Sequence, residues 1–202
     1  REWNAVVQKY GADLANKNGR VPWRAEEIFD KLVTTFVDAG KNPGGYSLDN
    51  ARYLSAVLAH YVEDAHQPFH GVANYDGQLT NQRGIHSRFE TELVLRNQAK
   101  LKLAPVKISP VADIKAFIFD TLLADQALAV KVLAADTKAA AGREFYDDGY
   151  FEAFAAAGAL AVAEQRFGDA ASGVASVWMA AWEKAGKPKL VDTPRGPSRI
   201  RR

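Results

Sequence analysis

Apolar residues recur at three- and four-residue steps along nearly the whole chain, and that spacing leaves little room for any fold but a helical one. After Pro22, residues Ile28, Phe29, Leu32, Val33, Phe36 and Val37 fall on one side of a helix that Gly40 suits as a stop. Ser47 can cap a second helix, whose apolar face holds Leu54, Val57, Leu58 and Tyr61 and whose end is set near Gln67-Pro68. The Gly- and Asn-rich stretch from Gly71 to Gly84 reads as loop, and a third helix starts near Gly84 and carries Phe89, Leu93 and Val94. Ser109-Pro110 opens a fourth helix with Ile114, Phe117, Ile118, Leu122 and Leu123. Two more are predicted over Asp147 to Arg166 and Asp169 to Ala185. The pattern predicts an all-α, multi-helix bundle over residues 1–186, followed by a basic, disordered tail over 187–202.

Composition narrows the chemistry. The net charge of +2 gives no global field for nucleic acid. With no cysteine, thiolate metal sites and disulfides are excluded, so any metal must be held by His and carboxylates. No apolar run is long enough to span a bilayer. The chain carries no signal peptide and begins with Arg1 rather than Met.

All four histidines, His60, His66, His70 and His86, fall within 27 consecutive residues. His60 and Asp64 are four apart, which on a helix sets an imidazole and a carboxylate one turn apart on one face. His86 and Glu90 repeat that spacing. Pro68 should end the intervening helix and let His70 approach from another direction. Three imidazoles and two carboxylates exceed the needs of one tetrahedral ion, so a multinuclear site is the natural reading. A single His-x-x-x-Asp pair is also an ordinary helix-surface contact; two such pairs with a histidine between them favour metal. His66, two residues past Asp64, points off that face and reads as a supporting or surface residue, and Glu63 as a solvated carboxylate. The aromatic group Phe145, Tyr146, Tyr150, Phe151 and Phe154 reads as packing.

The run His60-x-x-x-Asp64-x-x-Gln67-Pro68-x-His70, followed by Asn74 and by His86-x-x-x-Glu90, resembles zinc-dependent phospholipase C and the related single-strand-specific nucleases of fungi and plants. The match covers residues 47 to 96 well and the helices beyond more loosely. The resemblance implies a phospholipase C/nuclease-like bundle with a zinc cluster in a cleft, up to three zinc ions in all, and hydrolysis of phosphodiester bonds in phospholipid or single-stranded nucleic acid. Carried over, His70, His86 and Glu90 would form one complete zinc site. His60 and Asp64 would supply half of a second, and Asp64 would bridge to a third. Family members are exported, which implies a secreted or periplasmic location. The family also uses an N-terminal Trp amine, a further His, and an Asp and His that complete the second site; that Asp is the candidate general base. No histidine precedes His60, and two residues precede Trp3, so these parts are expected upstream of Arg1, the alternative being a divergent member with one metal site left, and no catalytic base is assigned here. Glu90 and the short step from His70 to His86 lean toward the phospholipase branch. Base-stacking aromatics, for which Tyr53 and Tyr75 are candidates, would favour the nuclease branch. The competing reading is a non-catalytic, zinc-stabilised helical binding module with a partial metal site.

Overall fold

A computed structural model describes residues 2–43 and 46–191. Its regular elements are helical throughout, with no strand among the described residues. The helices are α1 (Trp3–Tyr10), α2 (Ala12–Lys17), α3 (Val21–Lys41), α4 (Ser47–Ala65), α5 (Ile85–Ser87), α6 (Val94–Asn97), α7 (Ile114–Ala140), α8 (Asp148–Phe154) and α9 (Leu160–Lys184). A π-helical turn, Arg88–Leu93, joins α5 to α6, and a second, Ala155–Ala159, joins α8 to α9. The chain divides into two compact units, one from residues 1–61, 108–116 and 174–202, the other from 62–107 and 117–173.

In the first unit, α3 buries Ile28, Phe29, Leu32 and Phe36, four of the six residues its periodicity marks, while Val33 and Val37 are half-buried and Pro22 lies in its first turn. Ala51 and Leu58 of α4 are buried here, as are Val177 and Ala181 of α9. The Trp178 indole donates to the Ser55 carbonyl at 3.1 Å, and Ser176 Oγ accepts from the Ser109 backbone at 2.9 Å. The short helices α1 and α2 add a Trp3–Trp23 edge-to-face contact, with Arg20 over the Trp3 ring.

The second unit is built on one apolar cluster: Phe69, Ile85, Phe89 and Leu93, then Leu128, Val132 and Ala135 of α7, Tyr150, Phe151 and Phe154 of α8, and Val162 and Ala163 of α9. Several helix boundaries differ from those the sequence predicts. The fourth helix opens at Ile114 rather than at Ser109-Pro110, and it runs to Ala140, where Leu128, Ala129, Val132, Ala135 and Ala139 extend its buried stripe. The break predicted between Arg166 and Asp169 is absent, since α9 runs unbroken through Gly168, which packs against Ala104. The interruption falls instead at Gly158, whose φ of +113° interrupts the helical path. Of the aromatic group expected to pack, Phe145 and Tyr146 are exposed, and only Tyr150, Phe151 and Phe154 are buried. The expected tail begins at 187; its residues 192–202 lie outside the described residues.

Candidate metal centre

Helix α4 ends at Ala65 because Pro68 can neither donate a backbone bond nor tolerate a helical residue before it. The chain then tightens into three-residue turns, His66 N to Glu63 O at 2.9 Å and Gln67 N to Asp64 O at 3.2 Å, and turns out at His70. The loop beyond is held by its own side chains. Asn74 Oδ1 accepts from Leu79 N at 2.8 Å, and Gln78 Nε2 donates to Ala73 O at 2.6 Å. Gly77 has φ of +71°, and a Cβ there would stand 2.4 Å from the Gln82 carbonyl oxygen, so only glycine fits. The loop delivers the chain to α5 and the π-turn, which carry His86 and Glu90.

Three of the five residues singled out by spacing converge. Ligand atoms of His70, His86 and Glu90 lie within 4.8 Å of one another. Glu90 Oε2 is 2.8 Å from His86 Nε2 and 4.0 Å from His70 Nε2, and the two imidazole centroids are 5.1 Å apart. Each ring is tethered through its other nitrogen to a backbone carbonyl, His70 Nδ1 to Asp64 O at 2.9 Å and His86 Nδ1 to Tyr75 O at 3.0 Å. A carbonyl only accepts, so it assigns a proton to each Nδ1; in the neutral ring that leaves the Nε2 lone pair facing the cluster. Tethering the distal nitrogen in this way is how metal-binding histidines are oriented.

The donor set fits a divalent ion. Ligand atoms around a tetrahedral ion with bonds of ~2 Å stand roughly 3.3 Å apart. The separations of 2.8 and 4.0 Å bracket that value. Two imidazole nitrogens and a carboxylate oxygen suit zinc and its first-row neighbours better than calcium or magnesium, which take oxygen. Burial pushes the Glu90 carboxyl up, but the hydrogen bonds from Gln67 and His86 and the positive field of the two rings when protonated outweigh it, and the net shift is downward, toward the ionised carboxylate. The side chains keep 30%, 28% and 48% of their surface, so the group is open to a molecule from outside.

The other candidates stand differently. Asp64 lies beside the group without joining it, its Oδ1 3.6 Å from His70 Nδ1. His60, exposed on α4 one turn earlier with its ring 5.9 Å from Tyr61, is also outside the group. His66 is not at the surface: it is 6% exposed, its Nδ1 2.7 Å from Val62 O and its ring against Phe117. A Cβ on Gly173 would come within 3.0 Å of that ring, so the glycine makes the space it fills. Burial pushes the His66 imidazole pKa down. Glu63 is exposed, as are Tyr53 and Tyr75.

Two charged features of the second unit carry no sequence signal. Arg88, in the π-turn between His86 and Glu90, is 4% exposed and binds Asp136 Oδ1 at 3.0 Å, the Arg83 and Gln82 carbonyls and the Tyr150 hydroxyl. Asp125 of α7 is fully buried, with Oδ1 2.6 Å from Arg166 Nη1 and Oδ2 without a hydrogen-bond partner among the described residues. Burial pushes its carboxyl up to about 6, against the opposing pull of Arg166.

No family model matches the chain, and no solved structure matches it. The chain is similar to a probable serine protease of Bradyrhizobium tropiciagri, 30% identical over a stretch that covers 42% of this chain and 12% of that protein. Coverage that small carries no activity across.

Proposed function

We propose that this chain is a zinc-dependent hydrolase of phosphodiester bonds, of the phospholipase C and single-strand nuclease type, acting on phospholipid or single-stranded nucleic acid outside the cytoplasm. The observation that supports it most is the pair of imidazoles, each tied through Nδ1 to a backbone carbonyl, with both Nε2 atoms turned toward Glu90 Oε2. His70 and His86 would hold the ion as neutral ligands, and Glu90 would offset part of its charge. A divalent ion there supplies Lewis acidity toward a phosphoryl oxygen and lowers the pKa of water. The solvent-facing side of the three residues leaves a path for a phosphate ester. No helix among the described residues is long and apolar enough to cross a membrane.

The three-residue group taken alone also supports a second reading, a helical binding module in which one ion serves stability and no hydrolysis occurs. One experiment separates them. The full-length protein, stripped with chelator and dialysed, is titrated with zinc and offered phosphatidylcholine vesicles and single-stranded DNA. Zinc uptake with release of phosphocholine or nucleotides supports the hydrolase. Zinc uptake with neither substrate cleaved selects the module, and no uptake defeats both.

A further inference from the structure

We propose that Gln67 is a positioning residue that holds Glu90 in its ligating pose and so sets the metal affinity of the centre; this rests on the reading of His70, His86 and Glu90 as a metal site. Gln67 Nε2 donates to Glu90 Oε2 at 2.8 Å, across 23 residues of sequence. That oxygen is the one facing both imidazoles. A free amide could present either end to a neighbour, but Gln67 has no such choice. Its Oε1 accepts from the Phe69 backbone N–H in the turn that ends α4, which leaves the NH2 end for the carboxylate. The glutamine thus ties the Pro68 turn to the π-turn through a directed donor. Glu90 is half exposed and has three rotatable side-chain bonds, so without that donor its carboxylate would sample solvent-facing rotamers. An amide at 67 holds the carboxylate by donating to one lone pair of Oε2, and the other lone pair remains available to an ion.

The two bonds of Gln67 can be separated. An asparagine at 67 keeps an acceptor for Phe69 N–H, because side-chain oxygen to the N–H two residues on is the Asx-turn pattern. It is one methylene too short to reach Glu90. Gln67→Asn therefore removes the positioning bond and spares the turn, whereas Gln67→Met removes both. The test measures zinc dissociation constants of the full-length protein by competition with a chromophoric chelator, alongside melting of the metal-free forms. Both variants should bind zinc about 10- to 100-fold more weakly. The metal-free Gln67→Asn protein should melt within a few degrees of wild type. Zinc affinity within twofold of wild type in Gln67→Asn overturns the proposal, whatever Gln67→Met does. So does a loss of affinity matched by an equal loss of metal-free stability, which marks Gln67 as structural only. A wild-type protein that takes up no zinc would instead overturn the metal-site reading itself, and this proposal with it.

Discussion

Two charged clusters flank the same π-turn, and they handle charge in opposite ways. Arg88 and Asp136 are almost sealed from water, and their polar atoms are answered from within the chain: Nη1 by Arg83 O, Nη2 by Gln82 O and Asp136, Nε by Tyr150 Oη, and Asp136 Oδ2 by Gln82 Nε2 at 2.7 Å. Two residues further on, Glu90 and the imidazoles it faces are partly exposed, and each ring has its Nδ1 satisfied while its Nε2 is aimed at other ligand atoms. A neutral imidazole so placed presents a lone pair to the carboxylate, and either a second ring proton or a cation between them satisfies both. The first cluster is complete in itself and fixes the turn. The second is open to solvent and could hold an ion.

The sharpest way to break this contrast is to remove the sealed cluster. Arg88→Ala leaves Asp136 buried without its guanidinium and should lower unfolding free energy by about 3–5 kcal/mol, read by urea titration. A loss below about 1 kcal/mol would mean that the cluster does not anchor the turn. The buried Asp125 offers the next largest effect. Its folded pKa is raised from 3.8 to about 6, so the stability it permits is full below the unfolded value and is lost as pH rises through about 6. Arg166 and Asp169 act on it, as does His70 when its ring is protonated. Between pH 3.5 and 7, wild type should lose roughly 3 kcal/mol relative to Asp125→Asn. A pH-independent difference would refute the burial argument. Saturating the open cluster comes third: zinc at a hundredfold its dissociation constant should stabilise the protein by about 2.7 kcal/mol. His86→Ala should abolish that shift in calorimetry while leaving the Arg88 network intact. The smallest effect concerns the loop between the clusters. Gly77→Ala forces a Cβ toward the Gln82 carbonyl at positive φ, and should cost ~2 kcal/mol by thermal melting and weaken zinc binding by loosening the turn that holds His86. Unchanged zinc affinity in that variant would uncouple the loop from the centre.

The sequence made α3, α4 and the trio His70, His86 and Glu90 legible, because periodicity and four-residue spacing are local properties of a helix. What escaped it depended on tertiary contacts. The family resemblance assigns His60 and Asp64 half of a second site, and neither joins the three-residue group. His66 looked peripheral, but the space opened by Gly173 draws it inside. The break expected between Arg166 and Asp169 is absent, and the true one sits at Gly158. Arg88, Asp125 and Asp136 carry no sequence signal, since nothing local marks a buried ion pair such as Arg88 and Asp136, 48 residues apart in the chain.

Both rings of the candidate centre hang from main-chain oxygens, at positions 64 and 75. The tether is indifferent to which side chain occupies either position, so those identities can drift while the imidazoles stay aimed. Anyone grafting this centre onto another scaffold would therefore have to transplant the path of the backbone through the Pro68 turn and the Gly77 loop; copying the ligand residues alone would leave the rings free to swing.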